Sequence, residues 1–209
     1  MRGQYWTRSG LDVDPLALSI DEVLLEDIAH HLAIINRYNG ASSKPYSVAQ
    51  HSVKCAQLAE AAKLGPLVAM GALLHDAQEA YLGDVVKPIK SRVFTVPGDH
   101  TYHGEGATFE WSEIEGRTLG VVCLGLGILP KDTVCLPEVH EIDRVILSYE
   151  MKALGFPEDA IPTPPFPLWW SDEIEVRIRP WRWETARDAF MQRWTRLRVL
   201  CGDEQRRTG

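Results

Sequence analysis

The stretch GALLHDAQEAYLGDVVKPIK, Gly71 to Lys90, begins apolar and then places His75, Asp76, Glu79 and Asp84 before Pro88. A divalent metal held by mixed imidazole and carboxylate ligands needs such side chains, deprotonated and converging from several elements. His51 lies on the segment before this one, and Asp143 sits farther on between Ile142 and Val145, where a carboxylate among apolar positions needs a partner. On a helix His75 and Asp76 are about 100° apart, so both can reach one ion lying over that edge. Glu79, four residues after His75, falls one turn on and on the same face, where it can orient or deprotonate a water without being a ligand. Hydrolysis is the chemistry expected, because a bound metal lowers the pKa of its water from ~15.7 towards ~7. Two imidazoles with two carboxylates (His51, His75, Asp76 and Asp143) suit one divalent ion, Mn, Co, Fe, Ni or Zn, and Mg less well.

Taken singly, each residue has an ordinary structural alternative. A His-Asp dipeptide is commonly an exposed polar pair, His51 can be a satisfied core histidine, and Asp143 can pair with Arg144 or Arg177. None of these explains why all four fall on apolar helical segments. His30 and His31 are neighbours on a helix and point different ways, so they do not form a facing pair.

The elements that must position these groups are helical. Ser19, with Glu22 three residues later, can cap a helix running to about Arg37; Asn39-Gly40 and Pro45 then mark a loop. Ser47 offers a cap for the helix VAQHSVKCAQLAEAAK, and Gly65-Pro66 separates it from LVAMGALLHDAQEAYL, apolar nearly all round at first and stopped by Gly83. Residues 94–105 read as loop and 107–127 as helix. PEVHEIDRVILSYEMKALG is helical by period, with Val139, Ile142, Val145, Ile146, Tyr149 and Leu154 on one side. IPTPPFPLWW is extended, and a last helix spans about Trp183 to Cys201 with Ala186, Phe190, Trp194 and Leu197 as its seam. Residues before Ile20 read as irregular or hairpin-like. The expected fold is mainly α, a compact bundle of about six helices in one domain over 1–209, its core about 19–155 and the C-terminal helix packed on it.

Three successive segments, PYSVAQHS, ALLHDAQEAYLGDVVKPIK and HEIDRVIL, resemble the H, HD and D signatures of the HD-domain metal-dependent phosphohydrolases. The similarity is to the compact branch that includes bacterial 5'-deoxynucleotidases and phage-encoded relatives, in which an INR-aromatic segment precedes the first histidine, as INRY does here at Ile35 to Tyr38. The resemblance covers roughly Ile28 to Leu154. It implies that His51, His75, Asp76 and Asp143 ligate one metal, that Glu79 activates water, and that Asp84 acts near the leaving oxygen. Arg37 matches a phosphate-binding arginine, whose planar fork suits phosphate oxygens, and Tyr38 an aromatic position near sugar and base. Lys90 matches a lysine that attracts phosphate, whereas Lys87 reads equally as a solvated loop residue. Gln50 departs from the glutamate common in relatives, and His100 and His103, in a glycine-rich loop, lack the pattern of a second metal site.

The function implied is dephosphorylation of deoxynucleoside 5'-monophosphates, with deoxynucleoside triphosphate triphosphohydrolysis as the alternative and a non-catalytic nucleotide-binding regulator as a third reading. The formal net charge of −7 disfavours a nucleic-acid polymer as partner. PLWW and PWRW accordingly read as rings that pack the C-terminal helix rather than stack bases. Four scattered cysteines, without a CxxC pair, read as small core residues, and neither a signal peptide nor a membrane span is evident, so a cytoplasmic protein without membrane contact is expected. The resemblance also implies a homodimer.

Overall fold

The computed structural model describes residues 5–91, 93–96, 107–163, 166–171 and 173–208, excluding the side chains of 93–96, 107–109 and 203–208. The chain is mainly α, as the apolar periodicity predicts. Among the described residues six helices are nine residues or longer: α1 (Leu25–Ile34), α2 (Val48–Ala61), α3 (Pro66–Leu74), α6 (Trp111–Gly125), α7 (Pro137–Ala153) and α8 (Trp183–Thr208). Two single turns, α4 (Glu79–Leu82) and α5 (Lys87–Lys90), lie between α3 and α6. The lead-in is a small antiparallel hairpin of β1 (Tyr5–Trp6) and β2 (Asp12–Val13).

Three expected helix boundaries are corrected. The Ser19–Glu22 pair forms, with Ser19 N–H donating to Glu22 Oε2 at 2.9 Å, but it closes only a 3-10 turn at Ile20–Glu22. Val23 and Leu24 are extended, so α1 starts at Leu25, and it ends at Ile34 rather than Arg37. Ala107–Glu110 is a strand, β4, paired antiparallel with β3 (Val93–Val96); the β-branched and aromatic residues of both segments suit a ladder, and Glu110 N–H meeting Glu113 Oε2 at 3.0 Å then starts α6. The predicted 94–105 loop thus overlaps β3, and its remainder, with His100 and His103, lies outside the described residues. The third correction is at the site. The segment expected as one helix to Leu82 leaves α-helical bonding at Leu74: Ala77, Glu79, Ala80 and Tyr81 donate to carbonyls three residues back. Its sequence carries no Gly or Pro there, so nothing in composition marks the change.

The core forms where α2 and α3 pack on each other, α8 lies across α1, α2 and α3, and α7 closes against α2 and α3. Ile28, Leu32, Met70, Leu73, Leu74, Ile142, Ile146, Phe190 and Leu197 are its fully buried large side chains. Gly71 sets the α3–α7 distance, because a Cβ there would lie 2.5 Å from the Thr133 carbonyl oxygen and 2.9 Å from Val139 Cγ2. That close approach brings the end of α3 within reach of Asp143 on α7. Ser47 caps α2 as predicted, its hydroxyl accepting from Gln50 N–H at 3.2 Å. The α8 seam is buried as expected, and Trp169, Trp170 and Trp181 pack against the core, so these rings serve packing. Of the cysteines, Cys55, Cys123 and Cys201 are buried, but Cys135 is exposed, contrary to the core reading.

Candidate metal centre

His51 comes from the first half of α2, where Ser47 and the preceding Asn36–Ser47 bridge tie the helix start to the end of α1. His75 and Asp76 come from the turn that ends α3, and Asp143 from α7, where it lies in sequence between the buried Ile142 and Val145. These four, predicted as ligands, converge. His51 Nε2 is 3.1 Å from His75 Nε2, 3.2 Å from Asp143 Oδ1 and 3.5 Å from Asp76 Oδ2. His75 Nε2 lies 3.3 Å from Asp76 Oδ2 and 3.8 Å from Asp143 Oδ1. Bonds of ~2.0–2.2 Å meeting at roughly 90–110° hold their donor atoms about 2.8 to 3.6 Å apart. Four of the five separations fall in that range, and the fifth is slightly wider.

The other ring nitrogens explain the orientation. His75 Nδ1–H donates to the Ala72 carbonyl at 2.9 Å, and His51 Nδ1–H donates to Glu150 Oε1 at 2.7 Å. Each ring therefore holds its proton on Nδ1 and turns the Nε2 lone pair into the cluster, the arrangement in which an imidazole binds metal. Burial depresses the basicity of both rings, and Arg37 adds to that at His51. Neighbouring groups outweigh it: Cys55, Glu150 and Asp143 at His51, and Asp76 and Asp143 at His75, hold both above the usual histidine range. Asp143 is held well below the usual carboxylate range, burial being outweighed by its hydrogen bonds with the two histidines. A pocket that draws protons onto its rings will draw a divalent cation in their place. His51, Cys55, His75 and Asp143 each offer a donor atom within 4.8 Å of the others, a group that could hold a metal ion.

Arg37 and Tyr38 reach the cluster from a strained turn. Arg37–Gly40 is a 3-10 segment in which Tyr38 and Asn39 have φ of 64° and 48°. Arg37 Nη1 donates to Asp76 Oδ2 at 3.2 Å, and its Nε lies 3.3 Å from Glu150 Oε2. The Tyr38 hydroxyl donates to Glu150 Oε2 at 2.7 Å, its ring stands 5.0 Å from Phe156, and its N–H donates to Asp84 Oδ2 at 3.2 Å. Asp84 is thereby placed beside the Arg37 turn.

Glu79 is 2% exposed, and its Oε2 has no hydrogen-bond partner. The three-residue spacing of the bonds around it sets Glu79 over Asp76 rather than over His75, the register the continuous helix would have given. Burial raises its carboxyl well above the usual range, the negative charges of Asp76 and Asp84 add to that, and Arg37 and Lys90 oppose it. Lys90 Nζ lies 3.4 Å from Glu79 Oε1 and 2.7 Å from Glu115 Oε1, so the lysine is engaged by two carboxylates. Lys87 is exposed.

No family model matches the chain. It is 39% identical over 94 residues to a protein of Rhodobacter capsulatus, covering 42% of this chain and 48% of that protein. It is 44% identical over 70 residues to YfdR of Escherichia coli, covering 34% of this chain and 36% of that protein. The chain thus spans less than half the length of each of these curated relatives, and both are described as uncharacterized. No described helix is long and apolar enough to cross a membrane.

Three residues at the site were missed in the sequence. Glu150 follows Asp143 by seven positions, two turns on along the same face, which was a legible signal. Cys55 follows His51 by four, and its Sγ lies 3.6 Å from His51 Nε2; burial pushes its thiol up to about 11, partly offset by His51, so at neutral pH it stays protonated in the absence of a cation. Glu115 had no signal, because its approach to Lys90 depends on where α6 packs. Gln50 is accounted for by the fold: its amide donates to the Arg179 carbonyl at 2.7 Å and its oxygen accepts from Trp181 N–H at 2.8 Å, which a glutamate could not do on both sides.

Proposed function

We propose that the chain is a metal-dependent phosphohydrolase of nucleotides that dephosphorylates deoxynucleoside 5'-monophosphates. The observation that carries this reading is the convergence of His51, His75, Asp76 and Asp143 with both Nδ1 protons held elsewhere. Charge supports it as well: Asp76, Asp143 and Glu150 lie about the single guanidinium of Arg37, and with neutral imidazoles a cation would compensate the negative charge left over. The four ligands would hold one divalent ion (Mn, Co, Fe, Ni or Zn), which supplies Lewis acidity, a water of lowered pKa and neutralisation of phosphate charge.

The chain's own groups supply the rest. Arg37, anchored through Asp76 and Glu150, retains N–H groups for the non-bridging phosphate oxygens. Glu79, with one buried oxygen lacking a partner and a proton affinity above the normal carboxylate range, takes a proton from the water that attacks phosphorus. The P–O ester bond breaks as the water oxygen bonds to phosphorus, and Asp84, when protonated or through a water, delivers a proton to the departing 5' oxygen. Orthophosphate and a deoxynucleoside leave. Tyr38, its hydroxyl engaged by Glu150, presents its ring near the base or sugar.

Lys90 is already paired with Glu79 and Glu115, so among the described residues Arg37 is the side-chain cation in contact with the four proposed ligands; this favours one phosphate over three. Incubation of the metal-loaded protein with a panel of deoxynucleoside mono- and triphosphates should release orthophosphate from the monophosphates. Release of triphosphate from the triphosphates would select the alternative reaction, and no turnover with any divalent metal would leave a nucleotide-binding regulator. The same reading includes a cytoplasmic homodimer, for which light scattering should give twice the mass of the 209-residue chain.

A further inference from the structure

We propose that Glu150 is a positioning residue that holds the ligand His51 and the phosphate-binding Arg37 in one rigid frame. This rests on the phosphohydrolase reading and adds a residue to it. Glu150 is 0% exposed, and each of its oxygens is used. Oε1 accepts from His51 Nδ1–H at 2.7 Å; Oε2 accepts from the Tyr38 hydroxyl at 2.7 Å and lies 3.3 Å from Arg37 Nε. A carboxylate with this burial is sustained only by such partners.

Each contact fixes something the chain otherwise leaves free. With its proton held on Nδ1 by Glu150, the His51 ring can only direct the Nε2 lone pair at His75, Asp76 and Asp143. Arg37 lies in a turn whose next two residues have positive φ, so regular helix bonding does not place its side chain; Glu150 and Asp76 do. The Tyr38 hydroxyl ties that strained turn to the same carboxylate. Phosphate binding and metal binding therefore share one anchor on α7, two turns beyond the ligand Asp143 on that helix. A residue serving only the fold would be replaceable by its amide without separating the two functions.

The test uses Glu150→Gln and Glu150→Leu in the full chain. Two affinities are measured by calorimetry: Mn2+ for the apo protein, and orthophosphate for the Mn2+-loaded protein. Glu150→Gln keeps an oxygen for His51 Nδ1–H but turns an amide N–H2 towards Arg37 and Tyr38. It should leave Mn2+ affinity near wild type and weaken orthophosphate by about 10-fold or more. Glu150→Leu should weaken Mn2+ by ~10- to 100-fold, as the loss of a carboxylate behind a ligand histidine does. If the leucine variant does not fold, the split between the two affinities in the glutamine variant decides. Wild-type values for both affinities in Glu150→Gln, with wild type binding Mn2+ and hydrolysing nucleotides, would overturn the role of Glu150 and leave the phosphohydrolase reading standing. A wild-type protein that binds none of Mn2+, Co2+ or Zn2+ would overturn both.

Discussion

Two histidine sites in this fold are finished in opposite ways. At His31 on α1, Nδ1–H donates to the Ala80 carbonyl at 2.8 Å and Nε2 accepts from Arg8 N–H at 3.0 Å, so both ring nitrogens are satisfied by the backbone. The neighbouring Asp27 is likewise complete, accepting from Ser9 N–H at 2.8 Å and from its hydroxyl at 2.7 Å. At His51 and His75 one nitrogen of each ring is satisfied and the other faces a lone pair or a carboxylate across 3.1 to 3.8 Å. A histidine with two protein partners fastens the lead-in hairpin to the turn of α4; a pair with one partner each leaves donor atoms that could hold a cation. The difference lies in the partners of the ring nitrogens, since burial alone would not distinguish a fastening histidine from a ligand.

The contrast can be broken by substitution on either side. Asp76→Ala removes a proposed ligand and the anchor of Arg37 Nη1 together, and nucleotide hydrolysis should fall by at least about 10³-fold, measured as kcat/KM with saturating metal. Glu79→Gln should lower kcat by ~10²- to 10⁴-fold while Mn2+ affinity stays unchanged, separating proton transfer from ligation. Arg37→Lys keeps a charge but loses the fork shared between Asp76 and Glu150; KM for a monophosphate should rise by roughly 10-fold. His31→Ala sharpens the comparison from the other side. It should reduce stability by about 1 to 3 kcal/mol in chemical denaturation, from the loss of two hydrogen bonds, and leave metal affinity and turnover of the folded protein intact.

Much of this was legible in the residues, and the failures have physical causes. The amphipathic period of α7 and the cap and composition of α2 announced themselves, because those helices bury one face against a core that the pattern reveals. The four residues proposed as ligands were marked as polar positions on apolar segments, and the structure brings their side chains together. The break after Leu74 was hidden because HDAQEAYL consists of residues any helix accepts, so nothing in it marks the switch to three-residue bonding. The strand at Ala107–Glu110 was hidden because its evidence is the partner strand, Val93–Val96. Glu150 was passed over between Tyr149 and the end of the helix, where a glutamate ordinarily faces water; only the convergence of α2, α7 and the Arg37 turn makes it a buried hub. The pairing of Lys90 with Glu79 and Glu115 was not legible either, because it depends on the docking of α6.

The most direct test is metal stoichiometry in three proteins prepared alike: wild type, His75→Ala and His31→Ala, dialysed against Mn2+ or Zn2+ and analysed for bound metal per chain. One divalent ion per chain in wild type and His31→Ala, with none retained by His75→Ala, is the predicted result. Wild-type protein without a bound ion, or an ion that His75→Ala keeps at undiminished affinity, would contradict the account.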